Sequence, residues 1–523
     1  MILLQNITLP LSTDFGNLEK IVAAELKISQ KEIKSVSLHK KSVDARHKNN
    51  IVLCCSFLVE AENEKSILKR CKKATSYNKK DYVWLKAEDT SKKAVVVGFG
   101  PAGMFAALTL SRAGIQVTVL ERGQDADTRS RDIKDFLEGG ELNTESNVQF
   151  GEGGAGTFSD GKLNTGIKDE RISVVLKTFA ECGADEKILY EAKPHIGTDV
   201  LVQVVKNIRK RIIKLGGEIL FGAKFVGFES SGAAVRRAVA MVGGEKRTFD
   251  CDYLVLAIGH SARDTYKALL ESGLEFIRKP FSVGARIEHR QADINKSLYG
   301  EFANHPALGA ADYKMAAHLE NGRGVYTFCM CPGGEVINAS SEMGMTCVNG
   351  MSNSARDGGN ANSALLVEVR PEDLEGDSVL AGIEFQREIE RRAFCKEGVP
   401  FCYVGELTNE SVNLEKAVVP TIKPRAVKTD INSVLPNFVV QSLKEALPLF
   451  GKKISGFDSP EATLTFPETR SSAPVRILRN EEYEALNFAG IYPAGEGAGY
   501  AGGIMSAAID GMKIAEAIIK MAK

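Results

Sequence analysis

The hydrophobic and polar positions of residues 92–123 follow the two periods of regular secondary structure in turn. A β-branched apolar run at 94–97 leads into glycines, and an apolar pattern of helical period then continues until Gly114. A second apolar run follows at 115–120. This order predicts a strand, a glycine turn, a helix and a second strand, which together form one βαβ unit.

Three glycines and one acid give this unit its candidate chemistry. Gly98 permits a tight turn, Gly100 lets the backbone approach a pyrophosphate, and Gly103 lets helix and strand pack closely. Glu121 follows about twenty residues later, where such units place the carboxylate that binds a ribose. A Gly-x-Gly-x-x-Gly turn also occurs in unrelated α/β proteins. Because the strands, the helix and the acid all occur in order, we predict a dinucleotide site.

Two further glycine-rich stretches indicate backbone that passes close to a ligand. The first spans 150–166, where Phe150 and Phe158 interrupt the glycines and favour a binding loop over a flexible linker. The second spans 490–511, where a short strand, a glycine loop and an apolar helix opening near Gly503 follow one another. Such a helix directs its positive N-terminus at an electron-rich group.

The remaining pattern divides the chain into four parts: 1–90, 91–280, 281–460 and 461–523. Residues 1–90 show strand patterns at 2–9, 35–39 and 51–59 and helical patterns at 18–26 and 64–71. In the second part, a buried strand at 252–258 delivers Gly259 to the ligand edge of a sheet. Residues 281–460 show irregular strands and few long helices. We predict an α/β Rossmann-like nucleotide-binding domain with an inserted mixed α+β substrate domain and a small N-terminal α/β module.

Charge singles out the N-terminal module. Residues 1–93 hold 18 lysines and arginines against 11 aspartates and glutamates, although the formal net charge of the whole chain is +0. The basic residues include Lys40, Lys41, Arg46 and Lys48, which share one loop with His47. Two interpretations remain open, a nucleic-acid contact and a solvated lysine face. We favour the lysine face because no aromatic platform accompanies the charge.

Composition excludes several classes of protein. The 523 residues are 44% hydrophobic and 26% charged, which is ordinary for a globular protein. No apolar run reaches the roughly 18 residues that a membrane span needs. The ten cysteines include no Cys-x-x-Cys pair, so we expect reduced thiols in the cytoplasm and no metal site.

Taken in order, four motifs resemble those of FAD-dependent oxidoreductases of the glutathione-reductase superfamily. The resemblance is closest to a group of bacterial proteins known as uncharacterised FAD-dependent dehydrogenases. It covers about residues 92–523 and rests on the turn with its acid (98–123), the loop at 151–162, the strand ending at Gly259, and the loop at 495–504. It implies FAD as the cofactor and hydride transfer at flavin N5.

The resemblance also implies roles for individual residues. Glu121 would hold the adenosine ribose, Val226 would meet the adenine through its backbone, and Glu496 stands where the superfamily usually has aspartate, at the ribityl chain or pyrophosphate. The residues predicted to bind FAD are Gly98, Gly100, Pro101, Ala102, Gly103, Glu121, Arg122, Gly153, Gly154, Gly156, Thr157, Ser159, Lys162, Val226, Gly259, Gly495, Glu496, Gly502, Gly503 and Ile504.

Two absences in the sequence sharpen the expected chemistry. No second Gly-x-Gly-x-x-Gly unit occurs between Gly259 and Gly490, which disfavours a dedicated NAD(P)H domain. No cysteine pair follows the first βαβ unit, which disfavours a disulfide reductase. The partner is an unidentified small-molecule substrate or electron donor. Two alternatives stay open: an RNA-associated flavoprotein that docks through its basic module, and a flavin-bound scaffold without turnover.

The sequence supports the catalytic candidates less strongly than it supports the residues predicted to bind the cofactor. On a regular strand Arg286 and Glu288 share one face and His289 takes the other, and a structural ion pair is the favoured interpretation of this group. Cys329 and Cys331 would share one face of a strand without proving proximity to a flavin. The remaining candidates are the proton handler His260 and the pair Glu468 and Arg470. The sequence leaves open the substrate, the direction of electron flow and the oligomeric state.

Overall fold

The N-terminal module is a four-stranded sheet with two helices. The computed structural model describes residues 1–78 and 81–522. The module contains β1 (Ile2–Pro10), α1 (Leu18–Leu26), β2 (Ile33–Asp44), β3 (Val52–Ala61), α2 (Glu64–Arg70) and β4 (Ala74–Ser76), with strand order β2-β3-β1-β4. The predicted elements are confirmed, and β2 is longer than predicted.

The module is attached to the rest of the chain through its edge strand. The Lys41 N–H donates to the Tyr190 carbonyl at 2.8 Å, and the Ala192 N–H donates to the Lys41 carbonyl at 2.9 Å. In the basic loop, the Arg46 guanidinium pairs with the Asp44 carboxylate. One edge of the module is therefore occupied by the chain itself.

The second part of the chain builds the parallel sheet that the βαβ pattern predicts. Its elements are β5 (Lys93–Val97), α3 (Pro101–Ala113), β6 (Gln116–Leu120), α4 (Ala126–Leu137), α5 (Arg171–Glu181), α6 (Thr198–Lys214), β7 (Glu218–Leu220), β8 (Ala223–Ser231), β9 (Ala234–Val242), β10 (Glu245–Asp250), β11 (Tyr253–Leu256), α7 (Arg263–Glu271) and β12 (Phe276–Arg278). Strands β5, β6, β7 and β11 pair in parallel. Strands β8, β9 and β10 form a separate antiparallel sheet.

The third part is more regular than its sequence pattern indicates. Its elements are β13 (Phe281–Arg290), α8 (Gln291–Tyr299), β14 (Ala316–His318), β15 (Gly324–Cys331), β16 (Glu335–Asn338), β17 (Val348–Met351), β18 (Asn360–Val369), α9 (Ala381–Arg392), β19 (Val399–Tyr403), α10 (Val404–Thr408), β20 (Ala426–Lys428), α11 (Asn437–Gly451) and β21 (Thr463–Glu468). Seven of these strands form one sheet in the order β14-β15-β18-β13-β21-β19-β20. Strand β13 is buried from Phe281 to His289, so it carries no alternating pattern that reveals a central strand.

The inserted sheet extends past the predicted boundary at residue 460. Strand β21 pairs with both β13 and β19, so the sheet ends at Glu468. The chain then returns through β22 (Val475–Ile477), β23 (Ile491–Pro493) and α12 (Ile504–Met521). Strand β23 joins the parallel sheet beside β11, which gives the order β23-β11-β5-β6-β7. None of the helices within residues 1–78 and 81–522 combines the length and apolar character needed to cross a bilayer.

Candidate functional site

A cavity of about 480 Å³ lies between the parallel sheet and the inserted sheet. One wall follows the carboxyl ends of β5, β6 and β11, which is where open α/β sheets bind ligands. The N-termini of α3 and α12 reach the same cavity through Pro101 and Ile504. Residues of the inserted sheet, among them Cys329 and Glu468, form the facing wall.

The glycine turn after β5 is built as its sequence predicts. Gly98 has φ 93°, and a Cβ there would lie 2.3 Å from the Ala257 carbonyl oxygen. A Cβ on Gly103 would lie 2.0 Å from the Gly98 carbonyl oxygen, so this glycine packs against the turn and does not line the cavity. Gly100 does line the cavity, and a Cβ there would meet only the Gly154 Cα, at 3.7 Å.

Glu121 joins this turn to the glycine-rich loop. Its Oε2 accepts the Phe99 N–H at 2.8 Å, and its Oε1 accepts the N–H groups of Gly123 and Gly151, each at 2.9 Å. The side chain is buried but reaches the cavity. The predicted ribose acid therefore also fixes the backbone around its own site.

Sequence reasoning missed Arg129, which holds the glycine-rich loop in place. This arginine of α4 is fully buried, and burial lowers its pKa to about 10. Its guanidinium donates to the carbonyls of Asn147, Val148, Glu152 and Gly154 at 2.7–3.0 Å. No sequence signal identifies it, because α4 reads as a polar surface helix with several basic residues.

The C-terminal loop is fixed by close helix packing and one acid. A Cβ on Gly511 of α12 would lie 2.1 Å from the Ala102 carbonyl oxygen, so this glycine lets α12 approach α3. Asp510 accepts the Gly495 N–H at 2.7 Å and pairs with Arg479 at 2.7 Å. The last helix is therefore part of the cavity wall, although it lies far from the glycine turn in sequence.

Several predicted cofactor residues do not line the cavity. Val226 lies outside it, and its β8 neighbours Ala223, Lys224 and Phe225 line it instead, so the cavity meets β8 at the start of the strand. The others outside the lining are Gly103, Gly153, Thr157 and Gly495. The predicted cofactor residues that line it are Gly98, Gly100, Pro101, Ala102, Glu121, Arg122, Gly154, Gly156, Ser159, Lys162, Gly259, Glu496, Gly502, Gly503 and Ile504.

His260 and Glu496 form a titratable pair beside Gly259. The His260 Nε2 lies 2.6 Å from the Arg470 carbonyl oxygen and 4.0 Å from the Glu496 Oε1. Burial and the nearby Arg470 guanidinium lower the pKa of His260 to about 4. Burial raises the pKa of Glu496 to about 7. At neutral pH the imidazole is therefore uncharged, and the Glu496 carboxyl group is only partly ionised.

On the facing wall, Glu468 is paired with Arg286. The Arg286 Nε and Nη2 donate to the two Glu468 carboxylate oxygens at 2.6 and 2.7 Å. Burial raises the pKa of Glu468, and the same guanidinium limits that rise. Glu468 lines the cavity, whereas Arg286 lies behind it.

A second buried ion cluster joins three segments of the chain. Glu390 of α9 accepts bidentate hydrogen bonds from Arg263 of α7 and from Arg470, all at 2.8–3.0 Å. These two arginines hold the pKa of Glu390 well below its usual range despite its burial. Sequence reasoning named Arg470 alone, because its partners lie on distant helices.

The catalytic candidates Glu288 and Cys331 do not line the cavity. Glu288 accepts hydrogen bonds from the Thr421 hydroxyl and N–H and from Asn360, so it does not pair with Arg286. Cys331 is fully buried outside the cavity. The neighbouring His289 binds the Phe457 carbonyl oxygen through Nε2 at 2.8 Å, in the core of the inserted domain.

The strand that carries the two thiols is irregular, so the expectation for a regular strand does not apply to it. The pairing of β15 with β18 shifts register between Phe328 and Cys331, and Cys329 has φ 43°. Cys329 lines the cavity beside Lys162, and Cys331 does not. An irregularity of this kind has no signature in the sequence.

Comparisons with known proteins identify a family for this chain. An uncharacterized protein of Clostridium beijerinckii is 47% identical over 99% of this chain and 98% of its own length. The chain belongs to the same family as that protein. Two family models also match this chain. One, described as "FAD binding domain", matches residues 91–133, and the other, described as "FAD-dependent protein, C-terminal domain-like", matches residues 280–471. A domain of unknown function matches residues 1–60.

Solved structures give weaker matches. CtdE in complex with FAD is 10% identical with a TM-score of 0.33, over 83% of this chain and 88% of that chain. A geranylgeranyl bacteriochlorophyll reductase-like protein from Thermoplasma acidophilum is 12% identical with a TM-score of 0.36, over 83% and 79%. At this level the likeness says nothing about activity.

The cofactor of this protein is FAD, and the residues that line the cavity fit this cofactor. The glycine turn leaves open space at Gly100, where a phosphate needs close backbone approach. Two helix N-termini, at Pro101 and Ile504, reach the cavity and favour negative charge there. The inserted domain is thus a part of an FAD-dependent protein.

Proposed function

We propose that the protein is an FAD-dependent oxidoreductase that transfers hydride at flavin N5 and has no dedicated NAD(P)H domain. The observation that carries this proposal is the shared cavity. Its FAD wall consists mainly of backbone and glycine, and its facing wall, on the inserted sheet, contributes Glu468, Cys329 and Tyr313. Such a division suits a cofactor on one side and a substrate on the other.

In this proposal the chain's own residues bind and orient the cofactor. Bound FAD supplies hydride chemistry at N5. The N–H groups at the start of α3 would hold the pyrophosphate next to Gly100, and Glu121 would hold the ribose. The N-terminus of α12, at Ile504, would favour negative charge on the ring system. Ala223 and Phe225 would contact the adenine.

Proton handling falls to Glu496 in this proposal. Its pKa of about 7 is near the value at which a general acid or base is most effective at neutral pH. His260 stays neutral and donates one hydrogen bond from Nε2 to the Arg470 carbonyl oxygen. Glu468 and Arg470 line the same cavity as positioning groups, because ion pairs already engage their charges.

The first experiment measures bound flavin and its reduction. Natively purified protein should carry FAD, and anaerobic dithionite should bleach the flavin absorbance with the uptake of about two electrons. Protein without FAD contradicts the cofactor assignment. Bound FAD that resists every ordinary donor contradicts the oxidoreductase proposal and favours the scaffold alternative.

A variant pair sharpens that experiment. Gly100→Glu should fold, since a Cβ there meets only the Gly154 Cα at 3.7 Å, but its carboxylate enters the cavity where phosphates bind. We expect its flavin content to fall to less than about a tenth of the original. Gly166→Ala is the control, because a Cβ at Gly166 meets nothing within 4 Å and this residue does not line the cavity. Equal flavin content in the two variants contradicts the proposed site.

A further inference from the structure

Two polar residues of the facing wall, Glu468 and Asn349, are held side by side by one buried cation. The Arg286 side chain is fully buried, and its guanidinium donates to the Glu468 carboxylate through Nε and Nη2 at 2.6 and 2.7 Å. The same Nη2 donates to the Asn349 Oδ1 at 3.2 Å. Glu468 and Asn349, the polar pair, both line the cavity, whereas Arg286 does not. Because one nitrogen atom binds both residues, the carboxylate and the amide are neighbours.

The polar pair offers opposite hydrogen-bonding groups to the cavity. Both Glu468 oxygens accept from Arg286, so the carboxylate has only further acceptor capacity to offer. The Asn349 Oδ1 accepts the Arg286 Nη2 and the Gly350 N–H, which fixes the orientation of the amide. The Asn349 Nδ2 has no hydrogen-bond partner among residues 1–78 and 81–522. The cavity therefore meets an acceptor beside an unused N–H donor.

The strand that carries Asn349 lies directly against the guanidinium. A Cβ on Gly350 would lie 2.3 Å from the Arg286 Nη1 and 2.3 Å from the Asn362 Oδ1, so a glycine at this position lets β17 come this close. The Arg286 Nη1 donates to that Asn362 Oδ1 at 2.9 Å and to the Cys329 carbonyl oxygen at 3.0 Å. Contacts with β15, β17, β18 and β21 thus hold the guanidinium, and through it the polar pair, in one place.

An exposed aromatic side chain belongs to the same part of the wall. Phe328 lines the cavity and is 37% exposed. It precedes Cys329, whose carbonyl oxygen accepts from the Arg286 that holds the polar pair. Ligand sites combine apolar or aromatic surface with a few fixed polar groups. Phe328 supplies the aromatic surface here, and the polar pair supplies the fixed groups.

The lysines that line this half of the cavity do not favour an anionic substrate. Lys162 is paired with Asp160 at 2.9 Å, and Lys193 is paired with Asp312 at 2.6 Å. Lys314 is exposed to solvent, which screens its charge. None of these three lysines offers a buried, unpaired charge to a ligand.

We propose that the polar pair and Phe328 bind a neutral, planar substrate through a carboxamide or lactam group. An N–H of that group donates to the Glu468 carboxylate, the adjacent carbonyl oxygen accepts the Asn349 amide N–H, and the ring of the substrate packs on Phe328. An ionised acid is disfavoured, because it lacks the donor and carries the same charge as Glu468. The inference rests on the proposed function in taking this half of the cavity as the substrate site.

The test measures the binding of three probes of similar size to the FAD-loaded protein by isothermal titration calorimetry. Benzamide carries the N–H donor and the carbonyl, acetophenone keeps only the carbonyl, and benzoate replaces the amide with a carboxylate. We expect benzamide to bind at least about tenfold more tightly than either of the others. A benzamide affinity no greater than that of another probe, or no benzamide binding at millimolar concentration, overturns the proposal.

A matched pair of variants separates substrate binding from a structural role of Asn349. Asn349→Asp keeps the oxygen that accepts from Arg286 and loses the amide donor, so benzamide should bind about tenfold more weakly. Asn164→Asp makes the same change at an exposed asparagine of the cavity lining and should alter this affinity less than about twofold. Equal benzamide affinities in the two variants overturn the proposal.

Reduction of FAD by dithionite in the same sample tests the proposed function separately. The calorimetry uses protein with oxidised flavin and needs no turnover. If FAD is reduced but benzamide is not preferred, only the substrate inference fails. FAD that resists reduction contradicts the oxidoreductase proposal, whichever probe binds.

Discussion

The two walls of the cavity are built by different means. The FAD wall is made of glycines, backbone N–H groups and helix N-termini, most of them within the segments 98–103, 151–162 and 495–504. The facing wall depends on buried ion pairs, such as Arg286 with Glu468 and Arg470 with Glu390. Short segments of sequence therefore specify the FAD wall. The facing wall forms only when segments that are distant in sequence come together.

This difference predicts different responses to substitution. Replacement of a glycine adds a side chain where the backbone or the cofactor needs room. It should remove the cofactor while much of the fold remains. Loss of one ion partner leaves a buried charge unpaired and should destabilise the whole protein. Four substitutions test this contrast, beginning with the largest expected effect.

Glu390→Ala should destabilise the protein by about 3 to 5 kcal/mol, because Arg263 and Arg470 would both lose their bidentate partner. Urea unfolding of the FAD-loaded protein measures the change. Glu384→Ala is the control on the same helix, since its exposed pair with Arg387 contributes at most about 0.5 kcal/mol. A loss at Glu390 as small as that at Glu384 would show that the buried cluster does not stabilise the fold.

Gly103→Val should weaken FAD binding by roughly tenfold to a hundredfold, since the added Cβ would lie 2.0 Å from the Gly98 carbonyl oxygen and force the turn apart. Fluorescence titration of FAD-depleted protein measures the dissociation constant. Gly359→Ala is the control, because a Cβ at Gly359 meets nothing within 4 Å. Unchanged affinity in Gly103→Val would contradict the close helix-to-turn packing.

Arg129→Met should weaken FAD binding by about tenfold or more, because four carbonyls of residues 147–154, two of them in the glycine-rich loop, would lose a buried donor. Equilibrium dialysis with FAD provides the measurement. Arg131→Met is the control on the same helix and should change little, because the exposed Arg131 side chain donates to the Thr128 hydroxyl and to none of these carbonyls. If both variants bind FAD equally well, the loop does not depend on Arg129.

Glu496→Gln should produce the smallest effect, a change in the pH dependence of stability. The folded pKa of Glu496, about 7, lies above its unfolded value, so its contribution is fully present at low pH and is lost as pH rises through 7. Between about pH 5 and 8 this loss should reach up to about 2 kcal/mol in FAD-free protein and vanish in Glu496→Gln. Thermal midpoints at several pH values measure it, and identical slopes in both proteins would argue against a raised pKa.

The sequence by itself determined the parallel sheet, the glycine turn and the C-terminal loop. These features depend on local periodicity and on residue types that only certain backbones permit, so Gly98, Gly103 and the helix after Gly503 can be read directly. FAD is what the family resemblance implies, and that resemblance rests on four such segments in order. The N-terminal module was readable for the same reason, most clearly at β3, which alternates regularly between buried and partly exposed residues.

Only the tertiary structure decided which residues form the facing wall and which buried charges support the site. Arg129, Arg263 and Glu390 are unremarkable in sequence, because a buried charge is identified by its partners and those lie on other elements. The position of Cys329 depends on a strand irregularity, and the Arg286 guanidinium from another strand donates to its carbonyl. Local pattern specifies backbone geometry, whereas the pairing of distant charges becomes visible only after the chain has folded.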